Sequence, residues 1–368
     1  MNRAIIAVAG AGKTMMLAHE ASKERERSRV VVLTYTTTNQ REDAARISSL
    51  LESGTQSPKV SGWCAFLLNE IIRPYLPVLY PDIQLAGLAM KEPSTFQYLK
   101  GHHRYFTRDG FAYPSFLGKL AFDVIKASKG GAIRRIENVY DAIYLDEAQD
   151  IRGNDLCVLE ELLHSRIRLF IVLDPRQSTL STTSRDSKYK KRYQGHGILE
   201  LYRLWERKGL LSIEFKNETF RSTPPIASFS DAILGPNIGL ERTVSNVQER
   251  GYHDGIFLID KSSTEVYSKA HHATLLAMRE SDSYPAIETI NFKMSKGVTR
   301  DDIIVVATDP IEQFLSKGKS LAPESACGFY VAVTRARYSV AIAVKDPDKT
   351  IAAMTALPLW EGASLQLA

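Results

Sequence analysis

A glycine-rich segment near the start of the chain carries a lysine and a hydroxyl at the spacing of a phosphate-binding loop. Residues 7–14 read AVAGAGKT, after the apolar residues 4–6 and before a stretch with helical spacing. A strand, a turn and a helix are therefore predicted in that order. In such a turn backbone N–H groups converge on phosphate oxygens, Lys13 would contact the phosphates, and Thr14 would hold Mg²⁺. The alternative is a glycine-rich strand-to-helix turn with a chance lysine.

Two consecutive carboxylates follow a second apolar run. Residues 142–145, AIYL, precede Asp146 and Glu147. A strand that ends in two carboxylates suits NTP hydrolysis, because the first can hold Mg²⁺ through water and the second can polarise the attacking water. An apolar strand followed by an acidic helix cap is the alternative. The phosphate-binding pattern at residues 7–14 favours hydrolysis.

Polar residues also follow two further apolar runs. Residues 30–34, VVVLT, lead to Thr36 and Asn39, and residues 169–173, LFIVL, lead to DPRQ at 174–177. The carboxyl ends of parallel strands meet at one edge of an open α/β sheet, where ligands bind. We therefore expect these polar groups at one edge. The hydroxyl of Thr36 and the amide of Asn39 suit a sugar–phosphate backbone, and a capped loop is the alternative.

Two aromatic residues, Trp63 and Phe66, lie near the end of another predicted strand. Aromatic rings at such a position can stack on the bases of a single strand, and packing in the core is the alternative.

The residues that follow, at about 69–138, contain several prolines and many aromatic residues. Their mixed pattern predicts a helical insertion that is not part of the sheet.

The composition is that of a globular protein with room for two domains. The chain has 368 residues, of which 44% are hydrophobic and 24% charged, and a formal net charge of +5 that suits a polyanionic partner. Its three cysteines lie far apart, which argues against a disulfide framework or zinc site and fits a reducing compartment. No apolar run approaches the roughly 18 residues of a membrane span, and no signal-peptide pattern is seen. We therefore expect a cytoplasmic protein without a membrane partner.

Eight segments, in this order, resemble the motifs of the UvrD/Rep/PcrA group of superfamily 1 DNA helicases and together span nearly the whole chain. They are residues 7–14 (AVAGAGKT), 35–39 (YTTTN), 63–66 (WCAF), 146–149 (DEAQ), 173–177 (LDPRQ), 217–222 (NETFRS), 291–297 (NFKMSKG) and 330–337 (YVAVTRAR). The strings DEAQ and VAVTRAR are specific. In the seventh segment Lys293 stands where relatives have histidine, and after it Thr299 stands where they have glutamate.

The resemblance implies an α/β fold with two RecA-like parallel-sheet domains, the architecture of a P-loop NTPase. Residues 1–205 are expected to form the first domain, with the helical insertion at about 69–138, and residues 206–368 the second. The second domain is expected to begin with a strand around residues 211–215. The nucleotide is expected in the cleft between the domains, which would close during hydrolysis.

The resemblance also implies roles for individual residues. Glu147 would activate water, Gln177 would sense the γ-phosphate, and Arg221 and Arg335 would reach the γ-phosphate from the second domain, a task that suits the planar, permanently charged guanidinium. Nucleotide binding is expected at Ala9, Gly10, Ala11, Gly12, Lys13, Thr14 and Gly297. Magnesium binding is expected at Thr14 and Asp146, and DNA binding at Thr36, Asn39, Trp63 and Phe66.

The implied function is DNA-dependent ATP hydrolysis with ATP and Mg²⁺ as cofactors, coupled to 3′-to-5′ translocation on single-stranded DNA. The alternative is an NTP-responsive subunit that senses DNA or DNA ends without unwinding. Such a subunit would regulate a nuclease partner in a phage-defence complex, as in the helicase-like subunit of Gabija. The glutamine motif that reads adenine in relatives is not found before residue 7, so a preference for ATP over other NTPs stays open.

Overall fold

The structure is a computed structural model that describes residues 1–24, 28–51, 57–93, 99–183, 185–186, 188–189, 192–193, 195–235, 238–279, 282, 284–351 and 357–360. The chain divides into two compact units. The first comprises residues 1–6, 13–174 and 180–215, and the second comprises residues 7–12, 175–179 and 216–368. Two short loop segments, 7–12 and 175–179, are therefore grouped with the second unit, although the strands before them belong to the first.

The first unit is built on a six-stranded sheet. Its strands, with a separate short pair, are β1 (Arg3–Ala7), β2 (Val30–Thr34), β3 (Lys59–Gly62), β4 (Gly87–Leu88), β5 (Phe111–Ala112), β6 (Ala142–Leu145), β7 (Arg168–Leu173) and β8 (Ser212–Lys216). The sheet has the order β3-β2-β6-β7-β1-β8, and its strands from β3 to β1 are parallel. Strands β2 and β6 are buried along their whole length, as continuous apolar runs are in a sheet covered on both faces.

Helices connect these strands. They are α1 (Lys13–Ser22), α2 (Thr37–Leu50), α3 (Trp63–Phe66), α4 (Arg73–Leu79), α5 (Leu117–Ala127), α6 (Gly131–Val139), α7 (Asn154–Leu163) and α8 (Ile198–Arg207). Because α1 and α2 each follow a strand directly, their first residues lie beside the carboxyl ends of β1 and β2. Between β3 and β6 the described residues add helices and the parallel pair β4–β5, and they add no strand to the six-stranded sheet.

The boundary between the units lies about ten residues later than the sequence predicts. Residues 206–215 belong to the first unit, and β8 is the neighbour of β1 at the edge of the first sheet. The side-chain amide of Asn2 donates to the carbonyl of Leu210 (2.9 Å), and the N–H of Ser212 donates to the carbonyl of Asn2 (3.0 Å). The apolar run expected to open the second domain instead completes the first sheet, because it satisfies the free backbone groups beside β1.

The second unit is built on a five-stranded parallel sheet. Its strands are β9 (Glu218–Thr219), β10 (Val244–Ser245), β11 (Gly255–Asp260), β12 (Thr274–Ala277), β13 (Thr289–Asn291), β14 (Arg300–Val306) and β15 (Ala336–Val344). The sheet has the order β11-β15-β14-β12-β13, and β9 pairs with β10 separately. Its helices are α9 (Pro224–Leu234), α10 (Thr264–His271), α11 (Asp309–Lys317), α12 (Pro323–Val333) and α13 (Pro347–Ile351).

Both faces of the second sheet are covered. Along β15, Val340 and Ile342 pack in the core that holds α9 and α12, whereas Ala341 and Ala343 pack in the core that holds Tyr267 of α10. This alternation is the two-residue period of a strand buried on both sides. The predicted fold class, α/β with two parallel sheets, is confirmed. None of the helices in the described residues has the length and apolar character needed to cross a membrane.

Candidate nucleotide-binding site

The glycine-rich loop between β1 and α1 contains two residues with left-handed backbone conformation, Gly10 (φ 78°) and Gly12 (φ 77°). A Cβ atom at Gly10 would lie 2.4 Å from Oγ1 of Thr219 and 2.5 Å from Cβ of Arg221, which belong to the same unit. A Cβ atom at Gly12 would meet nothing within 4 Å. Glycine is therefore required at position 10 by conformation and by space, and at position 12 by conformation alone.

The lysine and threonine of the loop lie at the start of α1, where N–H groups have no partner within the helix. Lys13 is buried, and its Nζ lies 3.9 Å from Oδ2 of Asp174, which follows β7. The hydroxyl of Thr14 donates a 3.0 Å hydrogen bond to Oδ2 of Asp146, which follows β6. The predicted phosphate and Mg²⁺ ligands are thus brought together with acidic groups at the carboxyl ends of two strands, all within the first unit.

The hydroxyl of Thr14 and the carboxyl group of Asp146, which are hydrogen-bonded to each other, are the two oxygen groups predicted to hold Mg²⁺. This ion takes hydroxyl, carboxylate and water oxygens, and it usually keeps several waters while binding one or two protein groups and the phosphates of a substrate. Within the part of the chain that the structure describes, no group of three or more His, Cys, Asp or Glu side chains is placed to hold a metal ion. The two oxygen donors beside the glycine-rich loop have the chemistry that the predicted Mg²⁺ requires, and their binding of the ion stays a prediction.

The two consecutive carboxylates lie on a strained turn. Glu147 has a φ of 54°, which is uncommon for a residue with a side chain. Its N–H donates to Oδ1 of Asp146 (2.8 Å), and its Oε2 accepts a hydrogen bond from Nε2 of Gln149. The N–H of Asp146 donates to the carbonyl of Leu33 on the neighbouring strand β2 (2.9 Å). Strained conformations of this kind concentrate at functional sites.

Burial dominates the electrostatics of this turn. Asp146 is only 3% exposed, and burial, followed by the charge of Glu147, raises the pKa of its carboxyl group. The hydrogen bond from Thr14 acts in the opposite direction. A divalent cation beside Asp146 would favour the ionised form, so the acidic pair is suited to hold such an ion.

Gln149 connects the ends of two strands, a role that was not predicted from the sequence. Its side chain is fully buried, its amide nitrogen binds Glu147, and its Oε1 accepts from the N–H of Asp174 (3.0 Å). The residue therefore fixes the glutamate relative to the aspartate that contacts Lys13. The sequence feature that points to Gln149 is its position as the last residue of the DEAQ motif.

Two residues predicted to act on the γ-phosphate contact each other in the second unit. Nη2 of Arg335 donates to Oε1 of Gln177 (3.2 Å), and Nε of Arg335 donates to the carbonyl of Val331 (2.9 Å). Arg335 follows α12 and is 1% exposed, whereas Gln177 lies in the short turn after β7. The guanidinium is thus held in one orientation by several hydrogen bonds.

The loop residue Ala9 is fixed by side chains of the same unit. Its carbonyl accepts from the hydroxyl of Thr219 (2.7 Å), and its N–H donates to the hydroxyl of Tyr330 (3.3 Å). Arg221, two residues after Thr219, donates from Nη1 to the carbonyl of Thr334 (3.3 Å). The backbone of the loop and both predicted arginines are therefore linked through contacts within the second unit. Ala11 donates its N–H to the carbonyl of Val8 (3.2 Å).

Gly297 lies in the turn before β14 with a φ of 87°, and its contact with a nucleotide stays a prediction. The side chain of Lys293 lies outside the described residues. Thr299 lines a cavity of about 730 Å³ in the second unit, with Arg250 and Arg337 among the other lining residues. Lys293 and Thr299 are the two positions that depart from the helicase pattern, and neither is given a function.

The residues predicted to bind DNA have mixed environments. The hydroxyl of Thr36 accepts from the N–H of Asn39 (3.1 Å) and caps the start of α2, as in the capped-loop alternative for this segment. Trp63 and Phe66 are 1% and 2% exposed, and their ring centroids are 6.0 Å apart. Because both rings lie in the core, the expectation that they stack on bases is corrected. They pack in the first unit. The DNA contacts of Thr36 and Asn39 stay predictions.

Two further residues near the predicted site motifs were not found from the sequence. Phe220 is 63% exposed, and its N–H donates to the carbonyl of Gly10 (3.1 Å), which places a solvent-accessible ring next to the loop. Asp43 on α2 is 1% exposed. The only sequence signal for Asp43 was its position four residues before Ile47, the other buried residue of that polar helix. Such spacing places both side chains on one helix face.

No protein-family model matches the sequence, and no curated protein matches it. Two solved structures of the arterivirus helicase nonstructural protein 10 are similar to the chain. The protein alone aligns over 95% of this chain at 12% identity with a TM-score of 0.46, and its complex with DNA aligns over 95% at 11% identity with a TM-score of 0.48. The chain spans 61% and 62% of the length of those two helicase chains. A likeness at this level does not identify a function.

Proposed function

We propose that the chain is a Mg²⁺-dependent NTP hydrolase whose turnover is coupled to nucleic acid, and specifically an ATPase that moves on single-stranded DNA. The observation that carries the proposal is the hydrogen bond between Thr14 of the glycine-rich loop and Asp146 of the carboxylate pair. It joins a phosphate-binding element to an acidic element at one sheet edge. This combination of groups is the one that phosphoryl transfer to water requires.

The proposal gives a separate role to each candidate site residue of the first unit. Lys13 binds phosphate oxygens, and Asp174, 3.9 Å from its ammonium group, keeps the lysine at the loop. Thr14 and Asp146 hold the metal, which when bound neutralises charge on the phosphates. Glu147 orients the attacking water and accepts its proton. The bond between Gln149 and Glu147 keeps this base in position.

The helicase resemblance provides the proposed roles of Arg221, Arg335 and Gln177 in phosphoryl transfer. Arg335 and Arg221 would stabilise negative charge on the γ-phosphoryl oxygens during transfer, because a guanidinium keeps its charge and matches two oxygens at once. Gln177, bonded to Arg335, would report the presence of that phosphate. The hydrogen bond between Gln177 and Arg335 would then link the position of Arg335 to the presence of that phosphate.

Coupling to nucleic acid is proposed from the charge of the chain and from the order of its motifs. The net charge of +5 favours a polyanionic partner, and the order of the eight segments resembles UvrD-like helicases. Thr36 and Asn39, at the start of α2, are proposed to contact the sugar–phosphate backbone. Single-stranded DNA is the proposed substrate, with 3′-to-5′ movement taken from the resemblance.

The decisive experiment measures hydrolysis of ATP, GTP, CTP and UTP alone and with single-stranded DNA, duplex DNA and single-stranded RNA. We expect hydrolysis that requires Mg²⁺, is stimulated most by single-stranded DNA, and is lost in Lys13→Ala. Lys23→Ala, which removes an exposed lysine just after α1, is the matched control and should retain activity. Absence of hydrolysis by the wild-type chain with every nucleic acid would refute the proposal.

A strand-displacement assay then separates movement from sensing. An active NTPase that displaces a strand annealed to a 3′-tailed duplex is a helicase. DNA-stimulated hydrolysis without displacement or translocation would instead support a regulatory subunit that senses DNA, to be tested by adding candidate nuclease partners.

A further inference from the structure

Helix α2 buries a carboxyl group that has no hydrogen-bond partner among the described residues. Asp43 is 1% exposed, and neither carboxylate oxygen has a donor. Buried polar groups in proteins nearly always have partners, and a buried carboxylate without one is strongly unfavourable. The exception therefore needs a physical cause.

The position of Asp43 places it near the carboxylate pair. Helix α2 follows β2, β2 pairs with β6 so that Leu33 is opposite Leu145, and Asp146 donates its N–H to the carbonyl of Leu33. The charges of Asp146 and Glu147 both act on Asp43, and together with burial they raise the pKa of its carboxyl group. Three acidic groups therefore lie within electrostatic range of one another in the first unit.

The basic residues near this cluster do not neutralise it fully. Arg46, one turn further along α2, lowers the pKa of Asp43 to a smaller extent than burial and the two carboxylates raise it. Arg46 is 41% exposed and lies 3.6 Å from the exposed carboxylate of Glu42. Lys13 lies 3.9 Å from Asp174, and its charge lowers the pKa of Asp146 to a smaller extent than burial and Glu147 raise it. Burial and repulsion favour the protonated form of these acids, and a divalent cation brought with the nucleotide would favour the ionised form instead.

We propose that Asp43 is an outer-sphere ligand of the nucleotide-bound Mg²⁺, accepting hydrogen bonds from water molecules on the ion that Thr14 and Asp146 hold. The inference rests on the proposed function and extends its metal site by one residue. Mg²⁺ keeps several waters when it binds phosphates, and these waters donate hydrogen bonds that match two acceptor oxygens. An outer-sphere role agrees with the finding that no three acidic side chains in the described part of the chain are placed to ligate one ion directly.

The proposal is tested by the Mg²⁺ dependence of ADP binding. The dissociation constant of a fluorescent ADP analogue is measured with Mg²⁺ and with EDTA, and the ratio reports the contribution of the metal. Loss of an outer-shell group usually lowers metal affinity about 10- to 100-fold, so Asp43→Asn is expected to reduce the ratio by about that factor. Glu42→Gln, which neutralises the exposed neighbour on the same helix, is the matched control and should keep the wild-type ratio.

A purely structural role would give a different result. If Asp43 is only a buried acid, Asp43→Asn changes the melting temperature equally with and without Mg²⁺–ADP and leaves the binding ratio unchanged, which overturns the proposal. Asp43→Ser is the second variant if the asparagine form does not fold, and the same ratio is measured. Wild-type ADP binding that ignores Mg²⁺, or a wild-type ratio retained in Asp43→Asn, refutes the role of Asp43, whereas the absence of Mg²⁺-dependent hydrolysis refutes the proposed hydrolase itself.

Discussion

Arg335 donates a hydrogen bond of 3.2 Å to Gln177, a residue 158 positions earlier in the chain. The guanidinium is 1% exposed and also donates to the carbonyl of Val331. A buried arginine held by several acceptors keeps one orientation, because each bond removes rotational freedom that the side chain would otherwise have. The contact turns two separate sequence motifs into one structural element of the second unit.

Replacing Arg335 should abolish hydrolysis while leaving nucleotide capture measurable. An arginine that stabilises the transferred phosphoryl is worth about 10³–10⁵ in rate, so we expect Arg335→Ala to lose activity by about that factor. Arg335→Lys should restore little, because an ammonium group cannot replace the planar fork. Single-turnover hydrolysis with saturating single-stranded DNA is the measurement. Arg337→Ala, at the 46% exposed arginine two residues on, is the control, and a near-normal rate in Arg335→Ala would contradict the assignment.

Glu147→Gln should separate nucleotide binding from hydrolysis. The substitution keeps the size of the side chain but removes the group that accepts the proton of water, which usually costs roughly 10²–10⁴ in rate. We expect normal binding of Mg²⁺–ATP and a trapped, unhydrolysed nucleotide. Equilibrium binding and single-turnover hydrolysis are measured on the same preparation. Wild-type turnover in this variant would show that another group activates the water.

The two glycines of the glycine-rich loop, Gly10 and Gly12, should differ in their tolerance of alanine. Both have a φ near 78°, a conformation that costs a residue with a Cβ atom about 1–2 kcal/mol. Only at Gly10 would the added carbon also meet Thr219 and Arg221, at 2.4 and 2.5 Å. We therefore expect Gly10→Ala to lower the free energy of unfolding by about 1–3 kcal/mol more than Gly12→Ala. Urea denaturation of both variants tests this, and equal losses would contradict the close approach of Thr219 and Arg221 to Gly10.

Trp63 should contribute to stability and not to DNA binding. Its indole ring is 1% exposed and packs against Phe66, so Trp63→Ala should lower the free energy of unfolding by about 3–5 kcal/mol. Trp63→Phe should recover part of this loss. DNA affinity is measured at a temperature at which the variants remain folded. A folded Trp63→Phe variant with greatly weakened DNA binding and wild-type stability would restore the stacking role.

Stability of the second unit should fall at acidic pH because of His253. Its ring stacks on His271 at a centroid distance of 3.7 Å, and its Nε2 lies 2.6 Å from the hydroxyl of Tyr267. Burial, followed by the charge of His271, lowers the pKa of His253 from 6.5 to about 4. The unfolded chain therefore binds one more proton between these values, and stability is lost as the pH falls through that range, by at most about 1.4 kcal/mol per pH unit.

The variant His253→Asn should reduce this pH dependence. Asparagine tolerates the positive φ of position 253 and carries no titrating ring. His272→Asn is the matched control, because His272 also has a positive φ, of 51°, and should keep the wild-type profile. Urea denaturation between pH 4 and pH 7 provides the comparison. An unchanged slope in His253→Asn would show that other groups set the acid sensitivity.

The sequence by itself determined the α/β class and the main strands, and it predicted the chemical character of a candidate site. Short continuous apolar runs such as residues 30–34 and 142–145 are typical of strands in a sheet covered on both faces, and both runs are buried strands in the structure. Gly10, Gly12, Lys13 and Thr14 are recognisable because their chemistry depends on neighbours in sequence. Local spacing was sufficient for these predictions.

Tertiary structure decided what depends on contacts between distant residues. The apolar run around residues 211–215 predicts the first strand of the second domain, but the strand at 212–216 lies beside β1 in the first sheet. An apolar run does not reveal which sheet it joins. Trp63 and Phe66 have the same side chains whether they face a base or a core, and only packing shows that they are buried. Asp43 lies on a polar helix, and its sequence context does not distinguish it from an exposed acidic residue. Its burial near Asp146 arises from the packing of α2 beside the neighbouring strands, which no local pattern encodes.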